Sequence, residues 1–309
     1  MEFSHTSVLL RESLEALDIR PEGVYVDGTA GGAGHATAIA ARLTTGRLIA
    51  LDQDPDAVQV ATERLATYPV ARVIQRNFRQ LDAVLDELGI RRVDGVLLDL
   101  GVSSWQLDHT ERGFSYHGDA PLDMRMSQTG TTAADLVNSL TVEELARVIR
   151  EYGEDKFALR IARHIVQARE QAPIETTGRL ADLIREAVPA AARRDGHPAR
   201  KTFQALRIAV NGELDSLSEG LDKAFDRLAE GGVLAVITFH SLEDRMVKRR
   251  FADFCKGCQC PPDFPVCVCG RTPRGELRLR RPAVPTEEEL AANPRSRSAK
   301  LRAVRKRKD

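Results

Sequence analysis

Over the first hundred positions, short apolar runs alternate with amphipathic stretches. Residues 24–26 form a β-rich run that ends at Asp27 and opens into Gly28-Thr29-Ala30-Gly31-Gly32-Ala33-Gly34-His35. Residues 36–43 then carry helical spacing. Residues 47–51 form a second strand, closed by Asp52-Gln53-Asp54-Pro55, which reads as a strand end followed by a helix start. A helix over 58–65, a strand over 70–74, a helix over 81–88 and a nearly all-apolar strand over 93–100 follow. Strands buried on both faces lose the in/out alternation, and strands alternating with helices predict a parallel, doubly wound α/β sheet.

After residue 100 the alternation stops, and the next buried strand, 232–238, comes about 130 residues later. The stretch between is helical. Thr141-Val142-Glu143-Glu144 is a capping box that opens a helix reaching Tyr152. Residues 157–170 and 180–188 keep helical spacing, and Leu214, Leu217, Leu221, Phe225 and Leu228 line one helix face. Connections within a βα unit are much shorter than this, so the pattern predicts a helical domain inserted between two strands of one sheet. The expected division is a first part of the sheet domain over 1–108 and an inserted, substrate-recognising helical domain over 109–212. The second part of the sheet domain, with a Cys-rich segment, covers 213–292, and a mobile basic tail covers 293–309.

In an open parallel sheet, ligands bind beyond the carboxyl ends of the strands. Here those ends carry the glycine-rich loop after Asp27, Asp52 to Asp54, Asn77-Phe78 and Asp99-Leu100-Gly101. Asp52, 21 residues beyond Gly31, is placed to accept hydrogen bonds from both hydroxyls of a ribose. That pairing serves dinucleotides and S-adenosylmethionine alike. The loop lacks G-x-G-x-x-G, carries no Lys or Arg for a pyrophosphate, and is preceded by an acid, Asp27, which suits a cationic ligand. No G-K-[ST] follows, which excludes a P-loop.

Composition adds one feature to this picture. Lys+Arg and Asp+Glu are both 45, so the formal net charge is zero. Residues 245–309, however, carry 18 basic and 7 acidic side chains, a net of +11 on a body of net −11. This asymmetry predicts a basic arm with a nucleic-acid partner. No apolar run approaches the roughly 20 residues of a membrane span. The N-terminus has no basic and apolar leader, and the five cysteines are an odd, clustered set, which together predict a cytosolic protein without a disulfide framework.

Longer motifs recur in a fixed order: His5-Thr6-Ser7-Val8-Leu9-Leu10, Asp27-Gly28-Thr29, Asp99-Leu100-Gly101-Val102-Ser103-Ser104 and Gln106-Leu107-Asp108. Then come Arg112-Gly113-Phe114-Ser115, Pro121-Leu122-Asp123-Met124-Arg125-Met126, Thr202-Phe203-Gln204-Ala205-Leu206-Arg207-Ile208 and Phe239-His240-Ser241-Leu242-Glu243-Asp244-Arg245. With Asn293-Pro294-Arg295-Ser296-Arg297-Ser298 they closely resemble the MraW family of bacteria. The resemblance implies a Rossmann-like methyltransferase fold with an inserted helical domain. It implies an S-adenosylmethionine-dependent enzyme that methylates the exocyclic amino nitrogen of one cytidine in 16S rRNA near the decoding site. Its implied cofactor positions are Ala33, Gly34 and His35 on the loop, Asp52 at the ribose, Phe78 by the adenine, and Asp99 and Gln106. By side chain alone, Phe78 reads equally as core and His35 as a helix-start residue.

The amino group of cytosine is a weak nucleophile, so catalysis must aim it and accept the proton it sheds. Asp99, or a backbone carbonyl beside it, is the expected orienting group, and His240, at the end of the last predicted strand, is the second candidate for handling the proton. A structural histidine fixing its loop is the other reading of His240. Enzymes that methylate amino groups often carry Pro-Pro-aromatic after this acid, and here the prolines are absent. Trp105, the only tryptophan, either stacks on a target base drawn out of its stack or is buried against the inserted domain. Basic stretches at Arg193-Arg194 with Arg200-Lys201, at 245–250 and at 271–281 are expected to track phosphates. The expected partner is 16S rRNA or the small ribosomal subunit, with no membrane; the oligomeric state is not read from the sequence. Cys255, Cys258, Cys260, Cys267 and Cys269 form C-x2-C-x-C-x6-C-x-C, either a structural zinc site or reduced thiols, and no catalytic metal is expected. A non-catalytic rRNA-binding assembly factor and a DNA cytosine amino-methyltransferase are the competing functions.

Overall fold

The computed structural model describes residues 7–258, 260, 264–266 and 269–308. His5 and Thr6 of the first motif and Cys267 of the cysteine cluster lie outside the described residues. The chain divides into two compact units: Met1–Gly101 with Asp215–Asp309, and Val102–Leu214.

The first unit opens with α1 (Leu10–Leu17), followed by β1 (Val24–Asp27), α2 (Gly34–Ala40), β2 (Arg47–Asp52), α3 (Pro55–Leu65), β3 (Ala71–Gln75), α4 (Leu81–Glu87) and β4 (Val93–Asp99). The second contains α5 (Ser104–Asp108), α6 (Ala133–Ser139), α7 (Val142–Gly153), α8 (Ala158–Arg169), α9 (Thr177–Ala187) and α10 (Arg200–Asn211). The chain returns through α11 (Glu213–Arg227) to β5 (Leu228–Thr238), α12 (Ser241–Cys255), β6 (Gly275–Leu277), α13 (Glu287–Ala292) and β7 (Lys300–Lys306).

The sheet runs β3-β2-β1-β4-β5-β7-β6, with β1 to β5 parallel and β7 antiparallel to both its neighbours. Strand residues alternate between two cores, as the period of two demands. Leu48, Ala50, Leu97, Val233 and Ala235 pack with Leu17 of α1 and Ile39 of α2. Ile49, Leu51, Val96, Leu98, Leu234 and Val236 pack with Leu85 of α4, Leu221 and Phe225 of α11 and Phe251 of α12. Helices therefore cover both faces, the doubly wound arrangement expected. The direction of strand order reverses between β1 and β4, so the ligand-binding switch point falls between Asp27 and Asp99.

The second unit is helical, with its own core of Met124, Val137, Leu145, Ile149, Ile161, Ile165, Leu180, Ile184, Phe203 and Leu206. Thr141 closes the anticipated capping box: Glu144 N donates to its Oγ1, and Thr141 N donates back to the Glu144 carboxylate. Leu228, expected at the end of a helix face, instead begins β5 directly after α11.

The C-terminal stretch departs furthest from expectation. Residues 293–309 are not a mobile basic tail, because 300–306 form β7, inserted between β5 and β6. Leu301, Ala303 and Val304 are fully buried, and the cations between them are tied down. Arg302 Nε donates to Asp244 Oδ1 at 2.7 Å, Lys300 Nζ to Asp244 Oδ2 at 3.2 Å and Arg305 to Asp18 at 3.2 Å. Burial alone would raise the Asp244 carboxyl, but Arg302 and Lys300 hold it below the usual carboxylate range. A strand alternating Lys/Arg with apolar residues has the composition of a solvated tail and the period of a half-buried edge.

Candidate active site

The ends of β1, β2, β3, β4 and β5 bring together six stretches of the first unit. Gly28 lies where the turn leaves β1, and a Cβ there would meet Leu98 Cδ2 at 2.4 Å, so a larger residue would have to displace the Leu98 side chain. Gly31 takes a left-handed φ of 49°, and its N–H donates to Asp52 Oδ2 at 2.8 Å. Asp54 N donates to the other Asp52 oxygen at 2.9 Å. Each carboxylate oxygen accepts more than one bond, so Asp52 retains capacity for a ribose. Ala33, immediately before α2, adopts φ 59° without being glycine, a strained conformation of the kind that persists where the surroundings fix it. His35 is buried; its Nε2 lies 3.1 Å from Val8 O, so the ring hydrogen sits there and Nδ1 lies 3.6 Å from Asp99 Oδ2. Thr29 Oγ1 accepts from Asp99 N at 2.6 Å and ties the loop to the end of β4.

Electrostatics single out three carboxyls. Burial pushes Asp27 up to about 7, helped by the charge of Asp52, and pushes Asp52 up to about 6. Asp99 rises well above the usual carboxylate range through burial, then through Asp27 and Glu243. Asp27 Oδ2 and Asp99 Oδ1 are buried without a hydrogen-bond partner among the described residues. Buried acceptors left unmatched are costly, and a cluster of them answers to a cationic ligand with hydrogens to donate. A pyrophosphate would meet only repulsion. The residues thus fit the sulfonium and ammonium groups of S-adenosylmethionine.

Phe78 follows β3 and is half-buried; a Cβ on Gly220 of α11 would lie 2.5 Å from its ring, so the ring rests on the helix backbone. His240 caps α12: Glu243 N donates to its Nδ1 at 3.4 Å, while its Nε2 lies 3.1 Å from Glu243 Oε1 but out of line for a hydrogen bond. Gln106 belongs to the other unit, where its Oε1 accepts from Ser103 N at 3.0 Å and closes the capping box of α5. Trp105, also there, packs its ring 3.5 Å from that of His109.

Two acids matter more than the sequence reading allowed. Asp27, read there as an acid that suits a cationic ligand but not as a site residue, is 1% exposed. Glu243 is buried and accepts from Phe239 N and His240 N. Its signal was available: His240-x-x-Glu243 has capping-box spacing with histidine in place of Ser or Thr.

The model of the MraW methylase family matches residues 2–307. The chain belongs to that family. It is an S-adenosylmethionine-dependent methyltransferase, and its doubly wound sheet is the Rossmann-like fold the motifs implied. Relatives of this methylase include "Ribosomal RNA small subunit methyltransferase H" of Symbiobacterium thermophilum, 58% identical over 98% of this chain and 97% of that protein. The protein of the same name from Brevibacillus brevis is 54% identical over 99% of each chain. An rRNA methylase from Streptococcus thermophilus, solved by crystallography, aligns over 99% of this chain and all of its own at 12% identity, with a TM-score of 0.45. Among the described residues, no helix is long and apolar enough to cross a membrane.

Proposed function

We propose that this methylase transfers a methyl group to the exocyclic amino nitrogen of a cytidine in the 16S rRNA of the small ribosomal subunit, near the decoding site. The observation that carries the reading is the pair of buried carboxyl oxygens on Asp27 and Asp99 at the switch point that have no hydrogen-bond partner among the described residues. Their acceptors need a donor-rich cation on one side and, at Asp99, leave an acceptor for an amine on the other. Relatives named for the small-subunit rRNA supply the substrate class.

S-adenosylmethionine supplies an electrophilic methyl on a positively charged sulfur. Asp52 would hold the ribose, Phe78 would face the adenine, and the loop from Ala33 to His35 would line the rest of the cofactor. Asp99 accepts a hydrogen from the cytosine amine and so turns its nitrogen toward the methyl. His240 is second in line for the proton. Phosphates are met by exposed cations that have no acidic partner among the described residues, among them Lys248, Arg249, Arg271, Arg280 and Arg281. The base must leave its stack to reach the site, at a cost of a few kcal/mol drawn from these contacts.

The test is tritiated methyl transfer to small subunits from cells lacking the enzyme, followed by nucleoside analysis. Label on cytidine is the expected result. Label elsewhere overturns the substrate, and binding of subunits without transfer would favour an assembly factor.

A further inference from the structure

Between α12 and β6 the chain makes a loop whose two legs run side by side at its base. Arg274 N donates to Phe254 O at 3.0 Å, and a Cβ on Gly257 would lie 3.0 Å from Pro273. Just beyond this neck, the sulfurs of Cys258, Cys260 and Cys269 all lie within 4.8 Å of one another. Cys258 Sγ and Cys269 Sγ are 3.8 Å apart. A disulfide needs about 2.05 Å. Tetrahedral zinc with Zn–S bonds of about 2.3 Å places its sulfurs about 3.8 Å from one another.

We propose that Cys258, Cys260 and Cys269 bind a zinc ion that staples the outgoing leg of this loop to the returning one. Soft thiolate donors select zinc or iron–sulfur centres over hard cations. Three sulfurs this close surround one ion, whereas the sulfurs of a cluster sit on different metal atoms. Cys260 N donates to Cys258 Sγ at 3.3 Å, a backbone bond that orients the sulfur. Cys255 stands apart: it packs at the end of α12 against the core formed by Phe251 and Phe254 and is not a ligand. The ion plays no part in methyl transfer. It fixes the segment between α12 and β6, whose described residues form neither helix nor strand, the usual service of a structural zinc.

The experiment is metal analysis of the full chain purified under reducing conditions without added zinc. About one zinc per chain is expected, lost in Cys258→Ser, Cys260→Ser and Cys269→Ser and kept in Cys255→Ser. Replacement by cobalt(II) should give a near-ultraviolet thiolate-to-metal band, a readout that does not depend on the serine variants folding. Protein that carries no metal and shows no such band on cobalt addition overturns the proposal. So does iron in place of zinc, or zinc retained by all three serine variants.

Discussion

Two clusters of charge in the sheet unit are treated in opposite ways. At the switch point, Asp27, Asp52 and Asp99 gather without a Lys or Arg partner among the described residues, and two of their oxygens have no hydrogen-bond partner there. In β7 of the same sheet the cations are met by acids: Arg302 and Lys300 share Asp244, and Arg305 pairs with Asp18. Unmatched buried acids cost stability and persist where a ligand completes them. Matched cations at a strand edge serve the fold. The charge that counts for function is the charge left over after folding, and a sum along the sequence does not show which that is.

The largest effect expected from this contrast is at β7. Removal of residues 293–309 takes away a strand with neighbours on both sides and should abolish the cooperative thermal transition. A truncated chain that melts like the parent and is only weaker for rRNA would restore the basic-tail reading. Next comes Asp99→Asn, which keeps the shape and removes the charge. Turnover should fall by about a hundredfold or more, while the cofactor-free protein at pH 8 becomes more stable by on the order of 1 kcal/mol. A less stable Asp99→Asn protein would show that the acid is matched after all.

His240 separates capping from chemistry. Asn replaces its cap, so His240→Asn should melt close to the parent, whereas His240→Ala loses about 0.5–2 kcal/mol. A turnover loss of about a hundredfold in the Asn variant is expected of a proton-handling group, and near-normal turnover removes His240 from the reaction. The smallest effect belongs to the leftover cations. Lys248→Ala and Arg249→Ala should each lower the salt slope of rRNA binding by about 1 while cofactor affinity stays unchanged.

The parallel half of the fold was legible because buried strands and amphipathic helices leave different periods, and the gap of about 130 residues announced the helical insertion. β6 and β7 were not. Gly275–Leu277 is too short to carry a period, and in β7 the positive residues outweighed the alternation of Leu301, Ala303 and Val304. At the site, Asp52 and the glycine loop are legible as polar strand ends, and the structure places the Gly31 N–H on the Asp52 carboxylate. The depth of Asp27 depends on packing by residues distant in sequence, whereas the exchange between His240 and Glu243 is local and had a capping-box spacing to show it.

The titration of the carboxyl cluster also sets the sign of a pH dependence. Asp27 has a folded value of about 7 against 3.8 for the exposed group. Below 3.8 both forms hold the proton and no penalty exists. Between there and about 7 the unfolded chain releases its proton first, so the cofactor-free protein loses stability as pH rises, and above about 7 the loss is complete. A cationic ligand reverses the preference by favouring the ionised carboxyls.

Calorimetry of S-adenosylmethionine binding near pH 6.5, repeated in buffers of different ionisation enthalpy, counts that exchange directly. Completion of an unmatched acid cluster by a cation predicts net release of protons on binding. Binding with no release, or with uptake, would contradict it.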